Sequence, residues 1–157
     1  MAKITQLTRN RGIIDEFPSW SPDGEFITFT TDRDQDWEIY VMRSNGTEPV
    51  RLTHSPGDDF WPVWSPDGLH IAFVSDRSGN PDIYVMNRDG GDVRRLTYSI
   101  ALDYMPCWSP DGTQIAFTST RNGNGDIYVM DVDGSDMLRL TSDLSSDTSP
   151  AWYSNPN

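Results

Sequence analysis

The sequence predicts an all-β protein assembled from four-stranded units, on three grounds. The segment Pro62-Val63-Trp64-Ser65-Pro66-Asp67-Gly68 recurs almost unchanged as Pro18-Ser19-Trp20-Ser21-Pro22-Asp23-Gly24 and as Pro106-Cys107-Trp108-Ser109-Pro110-Asp111-Gly112, and it begins again at Pro150-Ala151-Trp152. The tryptophans at 20, 64, 108 and 152 set a period of 44 residues, the length of one supersecondary unit in repeat proteins. Inside each period, short apolar runs are separated by Pro-Asp-Gly and Asn-Gly or Asp-Gly turns, and no apolar stripe of helical period appears. Such units are the pattern of β-propeller blades, each of which buries its faces only against its neighbours. A β-solenoid and a stacked β-sandwich are the competing architectures; solenoid coils are usually shorter and their turns do not alternate in this way.

Taken in order, residues 3–8 read as an N-terminal outer strand, because Ile4-Thr5-Gln6-Leu7-Thr8 matches the tail of each later unit: Arg51-Leu52-Thr53, Arg95-Leu96-Thr97 and Arg139-Leu140-Thr141. A polar loop over 9–16 leads into blades at about 17–53, 61–97 and 105–141, and 149–153 begins a further blade. In the second unit the first strand covers about 61–64, and Ser65-Pro66-Asp67-Gly68 turns the chain, with Pro fixing φ and Gly free to take φ > 0. The next strand is 70–75. After a polar loop, Asp82-Ile83-Tyr84-Val85-Met86 follows with both faces apolar, as for a strand held between neighbouring sheets. The outer strand, about 93–97, is more charged, as suits an edge.

Composition narrows the function. The net charge is −12, with a pI near 4.3, so the surface repels nucleic acid and anionic membranes. Much of the acid is turn aspartate, which has its own structural use. The one cysteine, Cys107, permits no intrachain disulfide and, inside a strand, reads as a buried inert thiol. No apolar run reaches membrane-spanning length. The residues Met1–Thr8 lack the apolar core of a secretory signal, so a cytoplasmic location is expected, or a periplasmic one if a signal has been removed.

The units resemble the TolB-type, WD40-like propeller repeat (the PD40 family). The second and third carry its pattern almost complete: Trp64 to Gly68, Ile71 to Phe73, Ser75, Arg77, Asp82 to Met86, Asp89-Gly90 and Arg95 to Thr97, and likewise Trp108 to Gly112, Ile115 to Phe117, Ser119, Arg121, Asp126 to Met130, Asp133-Gly134 and Arg139 to Thr141. The first unit departs at Thr28, Thr31, Trp37, Glu38 and Asn45. The resemblance covers essentially the whole chain and implies a propeller and a partner-binding role. It does not by itself imply an activity, since such repeats also form lids of serine peptidases. Three full blades do not close a ring, as rings use four to eight. Closure through oligomerisation is therefore expected, with two copies forming a six-bladed homodimer; a piece of a longer array is the alternative.

The candidate site residues recur with the repeat. Asp15, Asp59, Asp103 and Asp147 each precede a tryptophan by five residues. They are expected either to accept hydrogen bonds that tie blades together or to form a carboxylate ring that holds calcium or magnesium near the central channel. Asp32, Asp34, Asp36 and Glu38 are spaced like the first ligands of a calcium loop but lack its glycine and distal glutamate. Arg33, Arg77 and Arg121 are expected to clamp Glu38, Asp82 and Asp126. Phe17, Trp61 and Met105 precede the repeated prolines and are candidates for contact with a partner. His54 and His70 do not repeat, and neither a nucleophile elbow nor a phosphate-binding loop is present. A non-enzymatic scaffold or protein-interaction module follows, with a cation- or small-ligand-binding propeller as the alternative.

Overall fold

The computed structural model describes residues 4–153. It contains three four-stranded antiparallel sheets, each in simple sequential order. The first holds β1 (Asp15–Trp20), β2 (Phe26–Thr31), β3 (Glu38–Arg43) and β4 (Val50–Arg51). The second holds β5 (Asp59–Trp64), β6 (His70–Ser75), β7 (Asp82–Asn87) and β8 (Arg94–Arg95). The third holds β9 (Asp103–Trp108), β10 (Gln114–Ser119), β11 (Asp126–Asp131) and β12 (Leu138–Arg139). Each innermost strand begins two residues before the start expected from its apolar run. The reason is that the leading aspartate is already in the ladder, as in the pairing of Asp59 with Ser75.

The sheets stack because their central strands are apolar on both faces. One face of β6 carries Ile71 and Phe73, which meet Ile39 and Leu52 of the first sheet. The other face carries Ala72 and Val74, which meet Ile115, Phe117 and Met130 of the third. Ile71, Ala72, Phe73, Val74, Ile83 and Met86 have no exposed surface. At roughly 1.5–3 kcal/mol for each large side chain taken from water, this burial dominates the stability.

Turn chemistry fixes where each strand ends. In the Ser-Pro-Asp-Gly turns the Gly24 N–H donates to Ser21 O at 2.9 Å, and the Phe26 N–H donates to the Ser21 hydroxyl at 2.9 Å. The turn closing each third strand also touches the preceding unit. Gly90 has φ +86°, and a Cβ there would lie 2.7 Å from Leu52 O. Gly134 stands in the same way on Leu96, and Gly46 on Leu7. Leu7 thus does for the first sheet what Leu52 and Leu96 do for the others, although residues 4–8 form no strand; Lys3 lies outside the described residues. Residues 149–153 likewise form no strand, but they lie along the third sheet, where the Ser149 N–H donates to Thr118 Oγ1 at 3.2 Å and Trp152 Nε1 donates to Cys107 O at 3.1 Å.

The two kinds of turn glycine separate backbone strain from contact between blades. Gly24 has φ +71° with nothing within 4 Å of an added Cβ, so Gly24→Ala is expected to cost about 1 kcal/mol, the left-handed penalty alone. Gly90→Ala adds a collision with a backbone carbonyl and is expected to cost a further 1–3 kcal/mol or so. Urea unfolding of both variants measures the difference, and equal losses would mean that the turn does not bear on the neighbouring blade.

Candidate interaction groove

The innermost strands β1, β5 and β9 share one irregularity. Their pairing shifts register between Glu16 and Ser19, between Phe60 and Val63, and within the corresponding part of β9. At the shift Phe17, Trp61 and Met105 have φ of 51°, 53° and 56°, and Ser149 repeats this at 60°. A bulky residue with φ > 0 is an outlier, and a following proline favours extended backbone at that position. The bulge overcomes both preferences because the ladder is sound on either side of it. Its effect is to turn these side chains into a groove of about 340 Å³, floored by the prolines that follow them. The three partner-contact candidates Phe17, Trp61 and Met105 therefore lie together in one place. Trp61 is their hub, with ring centroids 5.2 Å from Phe17, 5.0 Å from Phe60 and 5.8 Å from Tyr104. Cys107 lines the same groove and is half-buried rather than buried, because its strand has the groove on one side.

Two tiers of buried ion pairs hold the strands behind this groove. In the first tier Arg33 meets Asp15 at 3.1 Å, Arg77 meets Asp59 at 2.9 Å and Arg121 meets Asp103 at 3.0 Å. In the second, Glu38 is held by Arg51, Asp82 by Arg95 at 2.7 Å and Asp126 by Arg139 at 2.8 Å. This corrects the expected pairing of Arg33, Arg77 and Arg121 with Glu38, Asp82 and Asp126. Each of these arginines follows the second strand, packs over a third-strand tyrosine and reaches inward to the first strand; Arg77 Cζ lies 5.0 Å from the Tyr84 ring centroid. The outer strand supplies the other arginine.

Three of the four aspartates expected to form a carboxylate ring, Asp15, Asp59 and Asp103, open the innermost strands, and Asp147 holds the equivalent place before the strandless segment 149–153. The N–H groups of Asp59, Asp103 and Asp147 each donate to a carbonyl of the preceding sheet, on Trp37, Pro81 and Gly125, at 2.7, 3.0 and 2.7 Å. The carboxylates of Asp15, Asp59 and Asp103 point at their arginines. Among the described residues no group of three or more His, Cys, Asp or Glu side chains is placed to hold a metal ion. The acids of the 32–38 loop are likewise taken up by the fold: Asp32 Oδ1 accepts from the Ile14 N–H at 2.8 Å, Asp34 accepts from the Tyr40 hydroxyl and pairs with Arg51 at 3.3 Å, and Glu38 accepts from that same Arg51 and from Thr53. Burial and the Asp34 carboxylate push the Tyr40 hydroxyl up to about 12.

Blade by blade, these stacked repeats define a propeller-type β-protein. A model of the TolB beta propeller domain matches residues 2–105 and 101–157, and the chain belongs to that family. It is 33% identical to a TolB-assigned protein of Agrobacterium tumefaciens, with a TM-score of 0.81 over 93% of this chain and 56% of that one. It is 32% identical to TolB of Acinetobacter baumannii, with a TM-score of 0.75 over 86% of this chain and 34% of that one. The chain thus spans little more than half of the first protein and a third of the second. An oligogalacturonate lyase of Vibrio parahaemolyticus shares only the fold, at 16% identity and a TM-score of 0.65 over 85% of this chain and 42% of that one. Kinship with TolB, a periplasmic protein, overturns the cytoplasmic location expected from the first eight residues.

Two experiments test the electrostatics. Asp59 is fully buried, so Arg77→Met strands its charge and is expected to cost about 3–5 kcal/mol, whereas Arg43→Met, which removes an exposed pair with Glu48, is expected to cost under about 1 kcal/mol; chemical unfolding compares them. The second experiment varies pH. Hydrogen bonds from Ser21, Ser65 and Ser109 hold the turn carboxyls of Asp23, Asp67 and Asp111 below their usual 3.8. Their stabilisation is present above that value and is lost as pH falls through the lowered one. Burial raises Glu38 and Asp82; their folded-state carboxyls take up protons first, which favours the folded state as pH falls toward 4.5 and 3.8. Urea midpoints are therefore expected to hold or rise slightly on mild acidification and to drop only below about pH 4. A steady fall from neutrality would contradict this assignment.

Proposed function

We propose that this chain is a non-enzymatic protein-interaction module whose blades close into a ring with a second copy, presenting the groove of Phe17, Trp61 and Met105 to a protein partner. The observation that carries this reading is the unequal cover of one repeated residue. Trp64 is 7% exposed beneath the first sheet, whereas Trp20, its equivalent on the first sheet, is 57% exposed beside a cleft of about 280 Å³ lined by Ile27, Phe29 and Met42. At the other end of the stack Leu140 is exposed, whereas its equivalents Leu52 and Leu96 are buried. In the interior the matching face, with Ile39 and Leu52, covers Trp64. Docking the third sheet of one copy on the first sheet of another would repeat an interface this sequence already forms twice, and it buries apolar surface that would otherwise face water. Residues 4–8 and 147–153 lie on these two faces and would give way to the incoming sheets.

Light scattering over a concentration series tests the closure. A discrete dimer is expected, reduced to monomer by Trp20→Glu, a substitution at an exposed position that leaves the fold intact. A wild-type monomer at every concentration would overturn it.

A further inference from the structure

We propose that a hollow between the first and second sheets is a site for an alkylammonium cation. It lies beside the groove, has a volume of about 200 Å³, and is lined by Glu16, Phe17, Thr30, Trp37, Asp58 and Phe60. Three aromatic rings and two carboxylates converge there. Aromatic faces attract cations through their quadrupole, most strongly for tryptophan, and nearby carboxylates supply full charge. The chain's net charge of −12 adds a favourable field.

The repeat itself supplies a control. The same place between the second and third sheets holds Phe60, Trp61, Val74, Pro81, Leu102 and Tyr104, one period further on. Phe60, Trp61, Val74 and Tyr104 pack there into an apolar cluster. Between the first and second sheets Glu16 replaces Phe60, Thr30 replaces Val74 and Asp58 replaces Leu102. Two acidic residues, Glu16 and Asp58, thus fall on one spot where the next interface is apolar; Thr30 recurs as Thr118 in the third sheet, and Trp37 stands where the next unit has Pro81.

Two of the polar groups, Thr30 and Glu16, are not consumed by the fold. Thr30 is fully buried, yet its hydroxyl has no hydrogen-bond partner among the described residues. Its equivalent in the third sheet, Thr118, accepts the Ser149 N–H. A buried polar group normally has a partner; a primary ammonium such as that of lysine has an N–H to donate to Thr30 Oγ1, whereas a quaternary ammonium has none and would be held by the rings and carboxylates alone. Glu16 is exposed and makes no ion pair among the described residues. Asp58 Oδ1 accepts the Trp37 N–H at 3.1 Å, which orients that residue along the hollow. Two carboxylates are too few oxygen ligands for calcium, which takes six to eight, and the aromatic walls suit an organic cation better. The volume falls below the roughly 300–1,000 Å³ of sites that enclose whole ligands, so the hollow takes a head group. That group is either a free quaternary ammonium or a lysine side chain of a partner protein; the inference does not depend on ring closure.

The test is a titration followed by NMR of the labelled tryptophan indoles, with the Trp37 signal assigned from Trp37→Phe. Choline chloride is the first probe, Nα-acetyl-lysinamide the second, and sodium chloride at equal ionic strength the blank. The uncharged carbon isostere of choline is the control for apolar filling. A saturable shift of the Trp37 signal is expected with at least one cation, weakened about tenfold by Glu16→Gln and, for the lysine derivative, also by Thr30→Val. Both variants should fold: Glu16 is exposed, and valine already occupies the equivalent position in the second sheet. Saturation by choline alone identifies a free quaternary ammonium, and saturation by the lysine derivative identifies a protein side chain. The proposal falls if neither cation saturates the signal, if the isostere matches them, or if Glu16→Gln leaves the affinity unchanged.

Discussion

The structure depends on one constraint: its central strands are apolar on both faces, so no sheet is stable alone. Phe73 on one face and Val74 on the other are both fully buried, and they belong to different clusters shared with different neighbours. A sheet of this kind must lie between two others, and the order of the stack is then the order of the chain. The turns reinforce it. A glycine with φ near +86° lets the closing turn of one unit rest on a leucine carbonyl of the unit before, so the same residue that reverses the chain also sets the spacing between sheets.

Charge is handled inside this stack by confinement. Asp59, Asp82, Asp103 and Asp126 have no exposed surface, and desolvating them is tolerable only because an arginine meets each one. Two gain hydroxyl partners as well: Asp59 accepts from Ser55, and Asp82 from Ser78 and Thr97. Asp126 is poorer, because Asn122 stands in place of Ser78 and donates instead to the Tyr128 hydroxyl. Its contact with Arg139 has the distance of an ion pair without hydrogen-bond geometry. Exact repetition of a fold therefore does not imply exact repetition of energy, and the third unit carries a weaker carboxylate site than the second.

Much of the fold was legible in the sequence, for identifiable physical reasons. A period of 44 residues, turn residues of fixed type and two-faced apolar strands each determine local geometry, and together they leave few architectures. What escaped were features decided by relations between strands. The pairing of the arginines needed to be known across three strands, and Arg77 sits nearer to Asp82 in sequence than to Asp59 although it meets the latter. The bulge was hidden because Phe, Trp and Met before proline give no local sign of φ > 0; only their repetition at one place suggested a shared role. That same repetition did single out Phe17, Trp61 and Met105, which the bulge brings together. Location was read from eight residues that carry no information on it once the family is known.

The repeat also gives a way to separate architecture from function. Where all units agree, as at the tryptophans and the turn glycines, packing and backbone geometry are enough to explain the residue. Where one unit departs, the fold no longer explains the choice, because its neighbours show that the fold is satisfied by something else. Glu16 and Asp58 are departures of this kind, since Phe60 and Leu102 fill the equivalent space with apolar groups; Thr30 recurs as Thr118, but only in the first sheet is its hydroxyl left without a partner among the described residues. A buried hydroxyl without a partner costs about 1–3 kcal/mol, and the second sheet shows that this sequence could avoid the cost with a valine. The departures cluster beside the groove on which the strained Phe17 already converges, so the strain and the unsatisfied group are adjacent. Strain and missing hydrogen bonds persist where surrounding structure holds them in place, and here the stack of sheets on either side does so.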